Sequence, residues 1–414
     1  MTQKFTTRIL HSDHSANIEH FAVHKPIHTA TAYGYPDASH LARVFQGAEG
    51  GFVYSRQSNP TTAALESKIT TMEDGLATAC FSTGMAAIGS TFIALLRAGD
   101  HIVSSSYLFG NTNSLMGTID TLGCSVSLVD ATDVTHIEAA LQENTRLVFV
   151  ETIANPRTQI ADLVKIGELC RERGLLYVVD NTLTSPYLFQ PKTVGASLSI
   201  NSLTKYICGH GNALGGAVTD TGLYDWSQYP NIYDTYKKFE PELWGITQIR
   251  KKGLRDFGST LAAESAHKIA IGAETLALRM ERACDNATAL ADFFTTHPSI
   301  SKVYYPGLQD HPQHGLSKAL FKRHGAIISI ELADGCDCFE FLNQLKLVIL
   351  SSHLGDNRTL AIPVAHTIYW EMGAERRAEM GIDDSLIRLS IGIEDQQDLL
   401  DDFSQALAIF SHNG

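Results

Sequence analysis

The sequence predicts an α/β fold with a mainly parallel central sheet and a smaller α+β domain at the carboxyl end. From about residue 60 to 215, short β-rich apolar runs alternate with helical patterns, which is typical of a parallel sheet covered by helices. Three further apolar runs after residue 296 and a closing amphipathic segment indicate a second unit. The chain therefore divides into an arm over residues 1–58, a large α/β domain over 59–255 and a smaller α+β domain over 256–414.

The individual elements follow from composition and periodicity, taken in chain order. The arm is rich in His, Thr, Tyr and Gly with weak periodicity, so it is predicted to be extended. In the large domain we predict helices over residues 62–72, 85–96, 134–142 and 163–173, and strands over 101–106, 125–130, 146–152, 175–181 and 197–203. A long helical region over about 253–296 then leads to strands over 326–332, 347–352 and 385–392 and to a helix over 395–411.

Composition excludes several classes of partner. The 32 Lys and Arg against 45 Asp and Glu leave a net charge of −13, which repels nucleic acid and anionic membrane surfaces. No apolar stretch approaches the roughly 18 residues of a membrane span, and the first residues lack a signal-peptide pattern. The seven cysteines are scattered, and only Cys336 and Cys338 lie close together, without a second pair to complete a zinc site. We therefore expect reduced thiols, a cytoplasmic location and no metal.

Lys205 is the first candidate for chemistry. It follows the predicted strand 197–203, at the carboxyl edge of a parallel sheet, where open α/β folds bind their ligands. The hydroxyls of Ser202 and Thr204, three and one residues before it, are candidates for binding a phosphate. A solvated lysine in a loop is the alternative interpretation.

Asp180 strengthens the case for a site. It lies near the end of the apolar strand 175–181, and a buried carboxylate is rare unless it meets a cation. A pyridinium nitrogen is one such cation, and enzymes that use pyridoxal phosphate combine a lysine that binds the cofactor with an aspartate that keeps its ring nitrogen protonated. An aspartate that caps the following turn is the alternative.

Two weaker patterns complete the candidate site. Residues 82–87 begin a helix with small side chains, so the backbone N–H groups of Gly84 and Met85 are available to a phosphate. Phe109 follows the predicted strand 101–106 and places an aromatic ring at its carboxyl end, where a flat ligand could stack. Core packing is an equally good interpretation of Phe109.

Together these motifs resemble the Cys/Met-metabolism family of pyridoxal-phosphate enzymes, over nearly the whole chain and in order. That family includes cystathionine γ-synthases, O-acylhomoserine sulfhydrylases, cystathionine lyases and methionine γ-lyases. The resemblance implies the type I fold of pyridoxal-phosphate-dependent transferases, which is similar to aspartate aminotransferase. The motifs that carry it are Asp180, Ser202-Leu203-Thr204-Lys205, Ser82-Thr83-Gly84-Met85, Tyr54-Ser55-Arg56, Asn59-Pro60-Thr61, Asn155-Pro156, Leu354-Gly355-Asp356 and Arg388-Leu389-Ser390 with Gly392.

The resemblance also implies roles for single residues. Lys205 would hold the cofactor and move protons, and Asp180 would pair with the ring nitrogen. Arg388 would bind the substrate α-carboxylate through two hydrogen bonds. The remaining contacts to cofactor and substrate would come from Ser202, Thr204, Gly84, Met85, Phe109, Asn155, Ser352 and His353.

Tyr54 and Arg56 imply an oligomer, because in this family the Tyr and Arg of that motif reach the phosphate bound by a neighbouring subunit. The resemblance therefore implies shared active sites in a dimer at least, commonly a dimer of dimers, in which the arm contacts the neighbour.

Three departures from the family pattern bear on specificity. Phe109 stands where the family usually has Tyr, so the proton transfer attributed to that hydroxyl would fall to Lys205, Tyr54 or water. The segment 362–369 differs from the usual His-Pro-Ala-Ser-Thr-Thr-His stretch. Asn111 stands where methionine γ-lyases usually have Cys, while His353 resembles the sulfhydrylases more than the lyases.

The function predicted on this basis is γ-replacement on an O-acylhomoserine with sulfide, cysteine or a thiol. Elimination, as in methionine γ-lyase or cystathionine lyase, is the alternative. A non-catalytic member of the family is disfavoured because Lys205, Asp180 and Arg388 are intact, and no nucleotide-binding glycine motif follows a strand in the right place. The acyl leaving group and the thiol stay open.

Overall fold

The interior strands of the first sheet are buried on both faces, because helices cover both sides of the sheet. The run 147–150, for example, is wholly inaccessible to solvent. The computed structural model describes residues 3–15, 18–238 and 240–412. Its strands are β1 Ala77–Phe81, β2 His101–Ser105, β3 Ser125–Val129, β4 Thr145–Glu151, β5 Leu176–Asp180, β6 Leu198–Asn201, β7 Gly216–Asp220, β8 Ile300–Tyr304, β9 Ile327–Leu332, β10 Ile349–Leu350, β11 Leu360–Pro363 and β12 Ile387–Ser390.

Helices connect these strands and cover the sheets. They are α1 Phe5–Leu10, α2 Ala38–Gln46, α3 Pro60–Glu73, α4 Gly84–Leu95, α5 Gly110–Thr121, α6 Val134–Ala140, α7 Leu163–Arg173, α8 Ser185–Leu188, α9 Trp244–Gln248, α10 Ala263–Glu274, α11 Leu276–Thr296, α12 His314–Leu320, α13 Cys338–Gln344, α14 Gly373–Glu379 and α15 Gln396–Leu407. A π-helical segment, Ile249–Arg255, follows α9 directly. None of the helices in the described ranges is both long and apolar enough to cross a bilayer.

The larger sheet has seven strands in the order β1-β7-β6-β5-β4-β2-β3. Only β7 runs against its neighbours β1 and β6, so the other six strands are parallel and their carboxyl ends meet at one edge. The smaller sheet has the order β10-β11-β12-β9-β8 and is mainly antiparallel. The predicted architecture, a mainly parallel central sheet with a smaller carboxyl-terminal α+β unit, is therefore confirmed.

All five strands predicted in the large domain are present, with ends that differ by no more than two residues from those predicted. Two further strands of that sheet, β1 and β7, were not predicted. β7 contains Thr219 and Asp220, whose polar side chains obscure the strand pattern. Inside the sheet these groups are satisfied, because Thr219 exchanges a hydrogen bond with Thr78 and Asp220 accepts one from the Trp226 indole.

The prediction of a long helical region over 253–296 is wrong as a continuous helix. The π-helical segment ends at Arg255, and the chain turns at Gly258, whose φ of +73° favours glycine, before α10 and α11 begin. The strand predicted over 347–352 is reduced to the two residues of β10, and β8 and β11 were not predicted. β8 and β10 are edge strands and β11 has only four residues, so these strands carry little sequence pattern, which explains the differences.

Candidate active site

The carboxyl ends of β4, β5 and β6 place three polar segments at one edge of the large sheet. Glu151 is the register partner of Asp180 on the neighbouring strand, and Lys205 lies in the turn that follows β6. These side chains line a cavity of about 520 Å³ that also reaches His353 and Arg388 from the smaller domain. The parallel strands therefore bring Asp180 and Lys205 together as predicted.

Lys205 is largely buried and has an imidazole beside its amine. Its Nζ lies 3.4 Å from Nδ1 of His353. Burial and the positive charge of Arg388 lower the pKa of Lys205 from 10.5 to about 8, while burial and Lys205 lower the pKa of His353 to about 4. His353 is therefore a neutral hydrogen-bond partner near neutral pH, and the Lys205 amine loses its proton more easily than an exposed lysine.

Asp180 is a buried carboxyl group that has no cationic partner in the described part of the chain. Its Oδ1 accepts the N–H of Thr182 at 3.0 Å, and no Lys, Arg or His among the described residues lies within ion-pair distance of it. Burial raises the pKa of Asp180, and the hydrogen bonds from Thr182 oppose that rise. A cationic ring nitrogen would supply the partner that the described part of the chain does not.

The Asn155 side chain gives a second indication that the cavity binds a polar ligand. Both its Oδ1 and its Nδ2 are buried and have no hydrogen-bond partner within the described chain. Buried amide groups are nearly always paired, because leaving one unpaired costs about 1–3 kcal/mol. Asn155 lines the cavity with Asp180 and Lys205, so the residues present fit pyridoxal phosphate, a ligand with a cationic ring and polar substituents.

The start of α4 forms the anion-binding end of the cavity. The Thr83 hydroxyl caps the helix by accepting the Ala86 N–H at 3.0 Å, which leaves the N–H groups of Gly84 and Met85 for a ligand. A Cβ at Gly84 would lie 2.8 Å from Cβ of Ser202, so only glycine allows this close approach. The helix start and Ser202 thus fit the predicted phosphate site.

Thr204 lines the same cavity, but its hydroxyl already has partners. It donates to the carbonyl of Gly215 at 3.1 Å and accepts the Gly215 N–H at 3.0 Å. Its predicted bond to the phosphate would replace or share these contacts, and it stays a prediction.

Arg388 reaches the cavity from β12 of the smaller sheet. It is 1% exposed, and burial lowers its pKa to about 10. One terminal nitrogen donates to the carbonyl oxygens of Ser352 and His353, at 3.1 and 2.8 Å, while its Nε is buried without a partner within the described chain. Ser352 and His353 therefore orient the guanidinium through their backbone, and the unpaired Nε is available to a carboxylate.

The Leu354-Gly355-Asp356 motif packs against the lysine. A Cβ on Gly355 would lie 2.7 Å from the backbone nitrogen of Tyr206 and 3.2 Å from Cα of Lys205. Its φ of +74° also favours glycine. Glycine is required here because the segment after β10, which carries His353, packs closely against the Lys205 backbone.

Phe109 lines the same cavity and is 36% exposed. Its backbone N–H donates to Oε1 of Glu151 at 2.7 Å, which fixes the start of α5. The unusual segment 362–369 lies close by, with Ile368 in the cavity wall and Tyr369 buried so that its hydroxyl donates to the Asn155 carbonyl at 2.8 Å.

Tyr54 and Arg56 are not brought to this cavity. Tyr54 is 41% exposed, and Arg56 donates to the carbonyl oxygen of Arg255 at 2.7 Å. Both line another cavity on the surface, with His28 and Thr260. Their predicted contact with the phosphate of a neighbouring subunit stays a prediction.

Sequence reasoning missed two residues of the site and the role of a third. Glu151 ends an apolar strand in the same way as Asp180, so the same pattern could have identified it. Thr182 accepts the Ser202 N–H at 2.7 Å and joins the Asp180 turn to the lysine turn. Thr83 was recognised only as part of a motif, and its capping role follows from the usual preference for a hydroxyl before a helix.

Comparison with known proteins agrees with this geometry. Residues 6–408 match the family described as Cys/Met metabolism PLP-dependent enzyme, where PLP is pyridoxal phosphate. The L-methionine gamma-lyase of Fusobacterium nucleatum subsp. polymorphum is 38% identical over 92% of both chains, and the O-acetyl-L-homoserine sulfhydrylase of Leptospira meyeri is 34% identical over 92% of this chain and 91% of its own. The crystal structure of a putative O-acetylhomoserine (thiol)-lyase from Campylobacter jejuni, which contains N'-pyridoxyl-lysine-5'-monophosphate, superimposes with a TM-score of 0.93 at 30% identity, over 98% of this chain and all of that one.

Proposed function

Since the chain belongs to the Cys/Met-metabolism family of pyridoxal-phosphate-dependent enzymes, we propose that it catalyses γ-replacement on an O-acylhomoserine with sulfide, cysteine or a thiol. The observation that carries this choice is that Asn111 lines the cavity at the position where methionine γ-lyases usually have a cysteine. The sulfhydrylase relative and the thiol-lyase structure support it. Elimination from methionine is the second candidate, which the identity to a methionine gamma-lyase favours.

Bound pyridoxal phosphate supplies an electron sink that stabilises negative charge on the substrate carbon next to the amino group. Lys205 holds the cofactor, Asp180 pairs with the ring nitrogen, and Asn155 bonds a ring substituent through its unpaired amide. The phosphate is held by the N–H groups of Gly84 and Met85 with the hydroxyls of Ser202 and Thr204. The site thus orients one small amino acid between the cofactor and Arg388.

Proton transfer in this proposal belongs to Lys205. Its depressed pKa of about 8 makes the amine a base near neutral pH, and His353 holds that amine through Nδ1. Arg388 binds the α-carboxylate, and Lys205 lines the same cavity as the base for the α-proton. Phe109 contributes apolar surface and no proton.

Product analysis with O-acetylhomoserine tests this function. With sulfide, cysteine or methanethiol present, we expect homocysteine, cystathionine or methionine as the main product, and the preferred thiol identifies the nucleophile. Without a thiol, release of 2-oxobutyrate should be slow. Faster breakdown of methionine to 2-oxobutyrate than any replacement reaction would instead establish the enzyme as a γ-lyase.

Phe109→Tyr tests how the missing hydroxyl affects the balance of the two reactions. A phenol at the cofactor face adds an acid–base group close to the reacting carbons, so we expect more 2-oxobutyrate from O-acetylhomoserine without thiol, relative to thioether formation with it. Phe109→Leu is the matched control, since it adds no hydroxyl. An unchanged ratio in the Tyr variant would show that residue 109 does not set the balance between elimination and replacement. The segment 362–369 would then be the next candidate for specificity.

We also propose that the active enzyme is a homo-oligomer with shared active sites, at least a dimer and commonly a dimer of dimers, in which the arm contacts the neighbour. The support is that Tyr54 and Arg56 lie outside the cavity of their own chain, on an exposed surface. The described part of the arm also exposes large apolar side chains, with Phe21 98% and Val23 86% accessible. Apolar surface of that kind is typical of an interface between protein chains.

Arg56→Ala should weaken pyridoxal phosphate binding, because it removes a cation from the phosphate of the adjacent subunit. Mixing this variant with inactive Lys205→Ala protein should then restore part of the activity, since hybrid dimers contain one intact site. Subunit exchange is verified with differently tagged chains. No recovery after proven exchange would mean that each chain forms its own complete site.

A cytoplasmic location is part of the same proposal. All seven cysteines are free thiols, which fits a reducing compartment. Small amino acids and thiols are then the expected partners, without nucleic acid or membrane.

A further inference from the structure

Glu151 is a buried carboxyl in the cavity wall, beside the carboxyl of Asp180. The two residues are register partners on the adjacent parallel strands β4 and β5, so their side chains leave the sheet on the same face, one strand spacing apart. Glu151 has no ion-pair partner among the described residues. Two carboxyl groups so close together in a buried site do not both carry a negative charge readily.

The hydrogen bonds indicate which of the two keeps its proton. Asp180 is held by the Thr182 backbone N–H and by the Thr182 side chain, which favour its charged form. Glu151 accepts one N–H, from Phe109, and burial together with the charge of Asp180 raises its pKa well above 4.5. The negative charge therefore belongs to Asp180.

The other charged and titratable groups around Glu151 do not alter this assignment. Tyr369, from the segment after β11, is buried with its pKa raised, so it is a neutral phenol. Lys205, from the turn after β6, and Arg388, from β12, line the same cavity, but neither forms an ion pair with Glu151.

We propose that Glu151 is a positioning residue that works as a neutral carboxylic acid: it holds the backbone of Phe109 at the cavity wall without adding a second negative charge beside Asp180. A carboxylate at this position would compete with Asp180 for the cationic ring nitrogen. A neutral carboxyl accepts the same N–H through its carbonyl oxygen. Glu151 therefore acts only as a neutral hydrogen-bond acceptor, a role that does not use its acidity.

This assignment predicts that glutamine replaces Glu151 with little change, because it is uncharged and has the same shape. With the full-length enzyme and pyridoxal phosphate bound, we expect Glu151→Gln to keep the cofactor dissociation constant within about twofold of wild type. Glu151→Ala removes the acceptor for the Phe109 N–H, and we expect it to raise that constant about tenfold and to weaken the induced circular dichroism of the bound cofactor.

Infrared spectroscopy of the same proteins measures directly whether the Glu151 carboxyl is protonated. The difference spectrum of wild type minus Glu151→Gln at pH 7 should contain the C=O band of a protonated carboxyl, with its shift in D₂O. Glu73→Gln is the matched control. Glu73 is a fully buried glutamate bonded to Ser199 and Asn201, and its pKa of about 7 means that its own band should fade across neutral pH while the Glu151 band persists.

Several results would overturn the proposal. Carboxylate bands in place of the C=O band, or a Glu151→Gln variant that loses cofactor as readily as Glu151→Ala, would show that Glu151 works as an anion. Normal cofactor binding and dichroism in Glu151→Ala would show that Glu151 does not position Phe109 for cofactor binding. Should that variant fail to fold, Glu151→Leu, which fills the volume without an acceptor, takes its place. None of these measurements requires the γ-replacement reaction, so they are independent of the proposed function.

Discussion

Lys205→Ala should abolish the yellow colour of the purified enzyme and lower turnover about a thousandfold or more. The expected colour would come from pyridoxal phosphate bound to the lysine, and the same amine is the base nearest the substrate in this proposal. The measurements are the visible absorption spectrum and the rate of thioether formation from O-acetylhomoserine. Lys192→Ala is the matched control, because this partly exposed lysine pairs with Asp74 and does not line the cavity.

The pH dependence of cofactor loading gives a second measurement on the wild-type protein. Only a neutral Lys205 amine would condense with the aldehyde of pyridoxal phosphate, with release of water. Because burial and Arg388 lower the Lys205 pKa to about 8, the loading rate should rise through pH 8, about two units below the range of an exposed lysine. Wild-type protein that stays colourless with added pyridoxal phosphate, or a Lys205→Ala variant with normal turnover, would contradict the assignment.

Asp180→Ala should still bind the cofactor through Lys205 but should lose about a hundredfold or more in turnover. Without the Asp180 carboxylate, the ring nitrogen would lose the charged partner that this proposal assigns to it, so negative charge on the substrate carbon would be less stabilised. Thioether formation and the cofactor content of the purified protein are measured together. The expected result is high cofactor content with a low rate.

Two further variants complete this experiment: one removes the charge of Asp180 and keeps its volume, and the other is a control outside the cavity. Asp180→Asn keeps the volume and loses the charge, so its rate should resemble that of Asp180→Ala. Asp130→Asn is the matched control, since Asp130 follows the parallel strand β3 and accepts hydrogen bonds from Thr132, outside this cavity. Normal turnover in Asp180→Asn would exclude a charged pair with the ring nitrogen.

Much of the large sheet was predictable because its strands are continuous apolar runs bounded by polar turns. Lys205 and Asp180 were predictable for the same local reason, since each follows or ends such a run. The start of α4 was also readable, because Thr83 and Gly84 form a common helix start. The second sheet was harder, since β10 has two residues and β11 ends in a proline, which together leave little periodic signal.

The sequence by itself determined the fold class, the family and the candidate residues of the site, because alternation of elements and short motifs are local properties of the chain. Only the tertiary structure decided which of these groups are unpaired and which are charged. The free amide of Asn155, the low pKa of Lys205 and the neighbouring carboxyls of Glu151 and Asp180 all depend on burial and on residues distant in sequence. Desolvation and the charges of neighbouring strands set these properties, and no local pattern contains them.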